Sequence, residues 1–305
     1  MIPQRKTVSR RHVLSRFGVA SLTLAGLSTA IGDEPPPSDS TGKPTGDGVP
    51  LRQSVMGWCF KPMPIQTLAS EMRSIGYEAI EGIPASDYPT VKKLGLQISL
   101  VGSHGFAKGP VDPEHHAEVE AKLRDGIDLA VQCGSPSVIT FTGMSVRGMS
   151  DQTARKNCLR AWKRVLQHAE RNGITIVLEH LNSVDHGHPM KGHPGYWGDD
   201  LHRCADLVRE MDSPSFKLLF DIYHVQIMNG DLIRNIRRYA PIVGHYHTAG
   251  NPGRCEIDQR QEIHYPAVIR AIRETGYHGY LAQEFIPEDD DPVQSLRDAF
   301  RICNV

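Results

Sequence analysis

From Leu51 onward the chain alternates short apolar segments with longer amphipathic ones. The apolar segments are typical of buried parallel strands and read SVMGWCF, EAIEGI, QISLVGS, SVITFTG, TIVLEHL, KLLFDIY, IVGHYHT and YLAQEFI. The amphipathic segments predict helices at 65–75, 88–94, 113–133, 151–172, 200–211, 231–239, 266–275 and 292–303. Eight such units in about 250 residues are the expected content of a (β/α)8 TIM barrel. The alternative is a doubly wound open sheet, which usually has fewer strands.

Glycines mark the ends of several predicted helices, as in SIGYEAI, RNGITIV and ETGYHGY. Glycine reaches the left-handed conformation that ends a helix before the next strand begins. No glycine-rich fingerprint follows the first strand, and the phosphate-binding pattern G-x-x-x-x-G-K-[ST] does not occur. A nucleotide cofactor is therefore not indicated.

The first fifty residues differ in composition from the rest. Residues 1–32 run from the basic stretch QRKTVSRRHVLSR into the mildly apolar FGVASLTLAGLSTAIG, which has the layout of an export signal and is a poor membrane span. Arg10 and Arg11 resemble a twin-arginine signal, which predicts export to the periplasm in a folded state. An uncleaved anchoring segment is the alternative. Residues 33–50 predict a disordered linker, and 51–305 the barrel.

Composition limits the partners of this chain. Its formal net charge is -1, so no charge excess favours nucleic acid or an anionic membrane surface. The six cysteines are scattered, with no C-x-x-C pair, which argues against a zinc finger or a disulfide scaffold. We expect a small-molecule ligand, and whether the chain forms a homo-oligomer is open.

Polar residues interrupt the last four apolar segments near their ends. They are Glu179, Asp221, His247 and Glu284. In a barrel the carboxyl ends of the strands meet at one face, so these side chains should converge. Buried carboxylates need a cation or a proton, and three carboxylates with one imidazole suit Mg²⁺ or Mn²⁺. The alternative is that each is an ordinary loop or cap residue.

Five further side chains are candidates for substrate binding. They are His224, Arg254, His104, Trp58 and His245. Arg254 has a forked guanidinium that suits a carboxylate or hydroxyl oxygens. His245 shares a strand face with His247, so supporting a metal ligand is an alternative role for it. Salt-bridge, hydrogen-bonding or packing roles remain the alternatives for the other four.

The segments KLLFDIYHVQIMNGDLIRNIRRYAPIVGHYHTAGNPGRCEID and EIHYPAVIRAIRETGYHGYLAQEF resemble the hydroxypyruvate isomerase family. This family lies within the xylose-isomerase-like barrels, together with ketose 3-epimerases and the endonuclease IV type. The resemblance implies a divalent metal held by Glu179, Asp221, His247 and Glu284, with the two glutamates also acting as the acid/base pair. Hydroxypyruvate isomerases commonly have glutamine at the position of His247 and epimerases have histidine, so the substrate stays open.

The loop SVDHGHPMKGHPGYWGDD is longer than the resemblance leads us to expect. It brings His186, His188 and His193 to the predicted mouth of the barrel. A substrate lid, a source of further ligands and a long polar loop are the alternatives.

The chemistry that suits this set is proton movement between adjacent carbons of an α-hydroxy carbonyl compound, through an enediolate. A ketose 3-epimerase and a sugar-binding barrel without catalysis are alternatives. Phosphodiester cleavage is disfavoured, since strands two and three add only Glu81 and His104 as ligands and no basic groove is indicated.

Overall fold

A computed structural model of the protein describes residues 50–187 and 190–305. The predicted export signal, residues 1–32, and the predicted linker up to residue 49 lie outside the described residues, as do His188 and Pro189. Within the described ranges no helix has the length and apolar character needed to cross a membrane.

Strands and helices alternate along the described chain. The strands are β1 Arg52–Met56, β2 Ala79–Glu81, β3 Gln97–Ile98, β4 Ser137–Thr140, β5 Thr175–Glu179, β6 Phe216–Asp221, β7 Val243–Thr248 and β8 Tyr280–Gln283. The helices are α1 Ile65–Ile75, α2 Tyr88–Lys93, α3 His116–Cys133, α4 Asp151–Asn172, α5 Leu201–Met211, α6 Ile222–Met228, α7 Leu232–Tyr239, α8 Tyr265–Glu274 and α9 Pro292–Cys303.

All strand pairs are parallel, in the order β3-β2-β1-β8-β7-β6-β5-β4. The ring closes between β3 and β4 through Val101, whose N–H donates to the Ser137 carbonyl at 2.9 Å. The Ile139 N–H in turn donates to the Val101 carbonyl at 3.0 Å. The described residues therefore form a closed eight-stranded α/β barrel, as the eight repeats predict.

The third strand is shorter than its apolar run. The segment 97–103 was predicted as one strand, but only Gln97 and Ile98 pair with β2, and contact with β4 is limited to the bridge at Val101. The predicted sixth strand also runs too far, because β6 ends at Asp221 and α6 begins at Ile222. The Asp221 carboxylate accepts a hydrogen bond from the His224 N–H at 3.1 Å and so caps α6.

The eight predicted helices are present, with ends that differ by at most three residues, whereas α6 has no counterpart among them. Helix α3 begins at His116 after a single 3₁₀ turn at Pro113–His115, whereas the prediction began at 113. Gly76 and Gly173 follow α1 and α4 with φ of 120° and 66°, values that favour glycine.

The barrel interior has an apolar layer beneath a polar one. A small apolar cluster fills the interior: Leu100, Ile139, Val177 and Leu219. Residues two positions apart on a strand share a face, so Glu179 lies on the same side as Val177, and Asp221 on the same side as Leu219. The alternate residues, among them Phe220 and Tyr246, belong to the larger core that also contains helix residues. The pleat thus directs the polar side chains into the barrel mouth.

Candidate active site

The four predicted metal ligands converge at the carboxyl ends of the strands. Glu179 and Asp221 end β5 and β6, His247 lies one residue before the end of β7, and Glu284 directly follows β8. One ligand atom of each lies within 4.8 Å of those of the other three. All four side chains are buried. We call Glu179, Asp221, His247 and Glu284 the four-ligand cluster.

His247 lies between carboxylates on both edges of its ring. Its Nδ1 lies 2.6 Å from Glu284 Oε2 and 3.2 Å from Glu179 Oε1. Its Nε2 lies 2.8 Å from Glu81 Oε1. Because an ionised carboxylate can only accept a hydrogen bond, His247 donates to Glu81 from Nε2.

Glu81, the last residue of β2, contacts the cluster, although the sequence indicated it only as an added ligand for phosphodiester cleavage. Its Oε2 accepts a hydrogen bond from the Ser99 hydroxyl at 2.5 Å, and Ser99 Oγ lies 2.5 Å from Ser54 Oγ. His245 Nε2 lies 3.0 Å from the same carboxylate oxygen. The available signal was the charged residue that ends the predicted strand EAIEGI, in the same position as Glu179 in TIVLEHL.

Arg254 brings a buried positive charge to the cluster. Its Nη2 lies 2.7 Å from Glu284 Oε2 and 3.5 Å from Asp221 Oδ2, and its Nη1 donates to the Met190 carbonyl. The guanidinium carbon lies 5.6 Å from the ring centres of Trp58 and of Tyr223. With a φ of 52°, the Arg254 backbone adopts the left-handed conformation that favours glycine.

His224 points an unpaired nitrogen at the cluster. Its Nδ1 accepts hydrogen bonds from the backbone N–H of Asn182 at 3.2 Å and from the Asn182 side-chain amide at 2.8 Å. The hydrogen of a neutral ring is therefore on Nε2, which lies 3.6 Å from Asp221 Oδ2. Burial, followed by the charge of Arg254, lowers the pKa of His224 well below its usual value. His224 is thus neutral at physiological pH.

The two glutamates of the cluster have opposite pKa shifts. Burial raises the pKa of Glu179 to about 7, and the charge of Glu284 adds to this effect. Burial also opposes ionisation of Glu284, but the charges of Arg254 and His247 hold its pKa down to about 2. Burial raises the pKa of Asp221 to about 6. At neutral pH the site therefore contains one firmly ionised glutamate and one that exchanges a proton readily.

The buried oxygens of the cluster fit a divalent cation. Within the described ranges Asp221 Oδ2, Glu284 Oε2 and His224 Nε2 are buried but make no well-directed hydrogen bond. A buried polar atom that lacks a hydrogen bond is costly. Glu284 Oε2 has ion-pair contacts with His247 and Arg254, whereas Asp221 Oδ2 has Arg254 only at 3.5 Å, and both residues contribute a ligand atom to the cluster. Three carboxylates and one imidazole form a donor set for Mg²⁺ or Mn²⁺. The residues present can therefore hold such an ion.

A cavity of about 240 Å³ opens onto the cluster. Glu179, Glu284 and Arg254 line it, together with the rings of Trp58, Phe106 and Phe141. This volume lies below the range of about 300–1,000 Å³ found for drug-sized ligands. The cavity is therefore sized for a small substrate.

His104 lines the same cavity, but its ring nitrogens both have partners within the protein. Its Nδ1 donates to the Lys108 carbonyl at 2.9 Å, and its Nε2 lies 2.9 Å from Thr140 Oγ1. Thr140 Oγ1 also accepts a hydrogen bond from Trp162 Nε1 at 3.0 Å. His104 therefore presents its ring, rather than a free nitrogen, to a ligand.

The long loop after β5 contributes to the cavity wall. His193 lines the cavity and packs against Phe106, with ring centres 4.2 Å apart. Lys191 of this loop lies 3.2 Å from Glu288 in the loop after β8. His186 is exposed and His188 lies outside the described residues. Of the two histidines of this loop that the structure describes, His186 and His193, the latter lies at the cavity.

Trp58, His104 and Arg254 line the cavity, and their roles in substrate binding stay predictions. His224 is not among the described residues that line the cavity, and its Nε2 lies 3.6 Å from Asp221 Oδ2 of the cluster. His245 lies beside Glu81 in the barrel interior, and it is absent from the described residues that line the cavity. Substrate binding by His245 stays a prediction, and its contact with Glu81 fits the alternative role of supporting the metal ligand His247.

Comparison with known proteins gives three concordant findings. The xylose isomerase-like TIM barrel family profile matches residues 69–303. A Danio rerio protein named putative hydroxypyruvate isomerase is 30% identical over 261 residues, which cover 76% of this chain and 88% of that protein. Hydroxypyruvate isomerase of Escherichia coli (strain K12) is 24% identical over 173 residues, covering 55% of this chain and 64% of that protein.

Among solved structures, that of 3-keto-D-glucoside 4-epimerase from E. coli is similar to this barrel. The TM-score is 0.69 with 19% sequence identity, and the match covers 83% of this chain and 98% of that one. At this identity the likeness supports the fold.

Proposed function

This chain belongs to the hydroxypyruvate isomerase family of the xylose isomerase-like TIM barrels, and from that premise we propose that it catalyses metal-dependent proton transfer between adjacent carbons of an α-hydroxy carbonyl compound. The protein is an isomerase. The observation that supports the proposed mechanism is the four-ligand cluster at the base of a small, aromatic-walled cavity. Glu179 and Glu284 belong both to the cluster and to the cavity wall, so both can reach a bound substrate.

We assign a divalent cation, Mg²⁺ or Mn²⁺, to Glu179, Asp221, His247 and Glu284. Such an ion supplies Lewis-acid stabilisation of the negative charge that develops on substrate oxygens when a carbon-bound proton is removed. Arg254 adds a fixed positive charge beside Glu284 and Asp221. Trp58, Phe106 and Phe141 limit water at the reacting carbons, which strengthens each of these electrostatic interactions.

The two glutamates carry the proton. Glu284 is held ionised by Arg254 and His247, and ionisation is the state in which a carboxylate takes a proton from carbon. Glu179 also lines the cavity, so its carboxyl group can exchange a proton with solvent and pass it to a bound substrate. We therefore assign proton abstraction to Glu284 and proton return to Glu179, with the roles exchanged in the reverse reaction.

Hydroxypyruvate and its isomer are the first substrates to test, since the relatives are named for them. Epimerisation of a ketose is a second candidate. His247 favours it, because ketose 3-epimerases carry histidine at this position. The two reactions share proton abstraction and differ in whether the proton returns to the neighbouring carbon or to the opposite face of the same one.

We further propose that the protein is exported to the periplasm in a folded state. The basis is the sequence of residues 1–32, with Arg10 and Arg11 at the head of an apolar segment.

The test of function is proton–deuterium exchange followed by NMR. The full chain, loaded with Mg²⁺ in deuterated buffer, is given hydroxypyruvate, tartronate semialdehyde, ketopentoses, ketohexoses and keto-sugars in turn. We expect exchange at a carbon beside the carbonyl, and we expect Glu284→Gln or Glu179→Gln to lower its rate by 100-fold or more, since acid–base groups contribute about 10²–10⁴-fold.

Glu274→Gln is the matched control for this test. Glu274 ends α8, at the opposite face of the barrel from the cluster, and pairs with Arg237 on the surface. The Glu274→Gln variant should exchange the substrate proton at the same rate as the native protein. Near-normal exchange in the Glu284→Gln variant would refute the assignment of that residue. No exchange on any compound, with the cation bound, would refute the proposed reaction.

A further inference from the structure

We propose that Glu81 is a positioning residue for the cation site, since it accepts the hydrogen on His247 Nε2 and thereby directs Nδ1 at the other three ligands. This inference rests on the proposed function, because it concerns the ion which that function requires. Glu81 is not a member of the four-ligand cluster.

The orientation of His247 is the first step of the argument. A histidine that binds a metal must present a ring nitrogen without a hydrogen, so the other nitrogen carries it. His247 faces Glu179 and Glu284 with Nδ1, and faces Glu81 with Nε2 at 2.8 Å. Nδ1 is therefore the ligand atom, and Nε2–H is the group that Glu81 holds.

The Glu81 carboxylate is itself held firmly. Its second oxygen accepts a hydrogen bond from Ser99, lies 3.0 Å from His245 Nε2, and is buried with both. Ser99 is held in turn by Ser54 on β1. Both carboxylate oxygens thus have partners, so Glu81 cannot rotate without breaking several polar contacts.

Glu81 is poorly placed to act as a ligand of the cluster. Its Oε1 contacts His247 Nε2, so the imidazole ring separates Glu81 from the nitrogen that faces the cluster. Its Oε2 faces Ser99 and His245 instead. The geometry is that of a carboxylate that orients a ligand histidine through its second nitrogen, an arrangement whose loss typically weakens metal binding by about 10–100-fold.

Removal of the Glu81 charge should therefore loosen the ring of His247 without removing any ligand atom. In Glu81→Gln the side chain keeps its size, but its amide can turn either an oxygen or an NH₂ group toward Nε2. The hydrogen on the ring is then no longer confined to Nε2, and part of the population presents Nδ1–H to the cation.

The experiment measures Mn²⁺ binding to the full chain by isothermal titration calorimetry. We expect Glu81→Gln to weaken binding by about 10–100-fold. Glu256→Gln is the matched control, because Glu256 is a buried glutamate whose Oε1 accepts hydrogen bonds from the Ser295 hydroxyl and two backbone N–H groups outside the cluster. This control should bind Mn²⁺ as the native protein does.

A second measurement does not depend on how well the variant folds. Long-range proton–nitrogen NMR of the native protein loaded with Mg²⁺ reports which nitrogen of His247 carries hydrogen. We expect hydrogen on Nε2 of His247 in the native protein. Hydrogen on Nδ1 of the native His247 would overturn the inference.

The outcomes separate this inference from the proposed function. If the native protein binds no Mn²⁺, the proposed function fails and the inference fails with it. If the native protein binds Mn²⁺ and Glu81→Gln binds it equally well, only the inference fails. Equal weakening in Glu81→Gln and Glu256→Gln would also overturn it, since the effect would then be general.

Discussion

Binding of a divalent cation to the four-ligand cluster should release more than one proton at pH 7. Burial opposes a charge on His247, but the carboxylates of Glu284, Glu179 and Glu81 raise its pKa well above the usual value. The free protein therefore has hydrogen on both ring nitrogens, and the one on Nδ1 must leave, which accounts for one proton. Burial raises the pKa of Glu179 to about 7, so part of the population of this carboxyl group is protonated at that pH and its proton must leave as well.

The sign of the pH dependence follows from this release. Protons compete with the cation, so the affinity for the cation should fall as the pH falls, by more than about 10-fold for one pH unit near pH 7. The dependence of cation affinity on pH should become steeper toward pH 6, because Asp221, with a pKa of about 6, also takes up a proton there. Above pH 8 Glu179 is ionised, so the number of protons released on cation binding should fall toward one, the proton on His247.

The assay is calorimetry of Mn²⁺ binding in buffers that differ in ionisation enthalpy. The observed heat, plotted against the buffer's ionisation enthalpy, has a slope equal to the number of protons released. Glu179→Gln should lower that number toward one at pH 7, since the amide does not titrate. A slope of zero in the native protein would refute the reasoning, because it would mean that His247 and Glu179 are already deprotonated in the free site.

Two further predictions concern Asp221 and the export signal. Asp221→Asn should weaken Mn²⁺ binding but keep the hydrogen bond that caps α6, whereas Asp221→Ala should lose both. In cation-free thermal denaturation, the free energy of unfolding of the alanine variant should therefore be about 1 kcal/mol lower than that of the asparagine variant. Equal stability of the two variants would show that the cap contributes nothing. Replacement of Arg10 and Arg11 together by lysine should keep the protein in the cytoplasm, measured by cell fractionation, and undiminished export would exclude the twin-arginine assignment.

Much of the fold can be predicted from the sequence, because strands and helices are specified by the spacing of apolar residues over short stretches of the chain. Alternation of apolar runs with amphipathic segments specifies strands and helices, and glycines such as Gly76 and Gly173 mark their ends through their positive φ. The shortness of β3 was not predictable in this way. Its apolar run continues to Val101, and only closure against β4 decides which of those residues pair.

The sequence also determined which residues meet at the mouth. Parallel strands in a closed barrel end at one face, so polar residues at the ends of β5 to β8 had to lie near one another wherever the helices packed. Glu179, Asp221, His247 and Glu284 could therefore be grouped without coordinates. The His245 side chain shows the limit of this logic, since sharing a strand face with His247 left its depth in the barrel undetermined.

Only the tertiary structure decided how the members of the site differ. Glu179 and Glu284 are the same residue type at equivalent strand ends, yet their pKa values lie on opposite sides of the usual one, because Arg254 lies 2.7 Å from Glu284. Glu81 contacts His247 across 166 residues of chain. Charge interactions and hydrogen bonds depend on distance in space, whereas strand and helix patterns depend on spacing along the chain, so the patterns locate the site and the packing assigns its electrostatics.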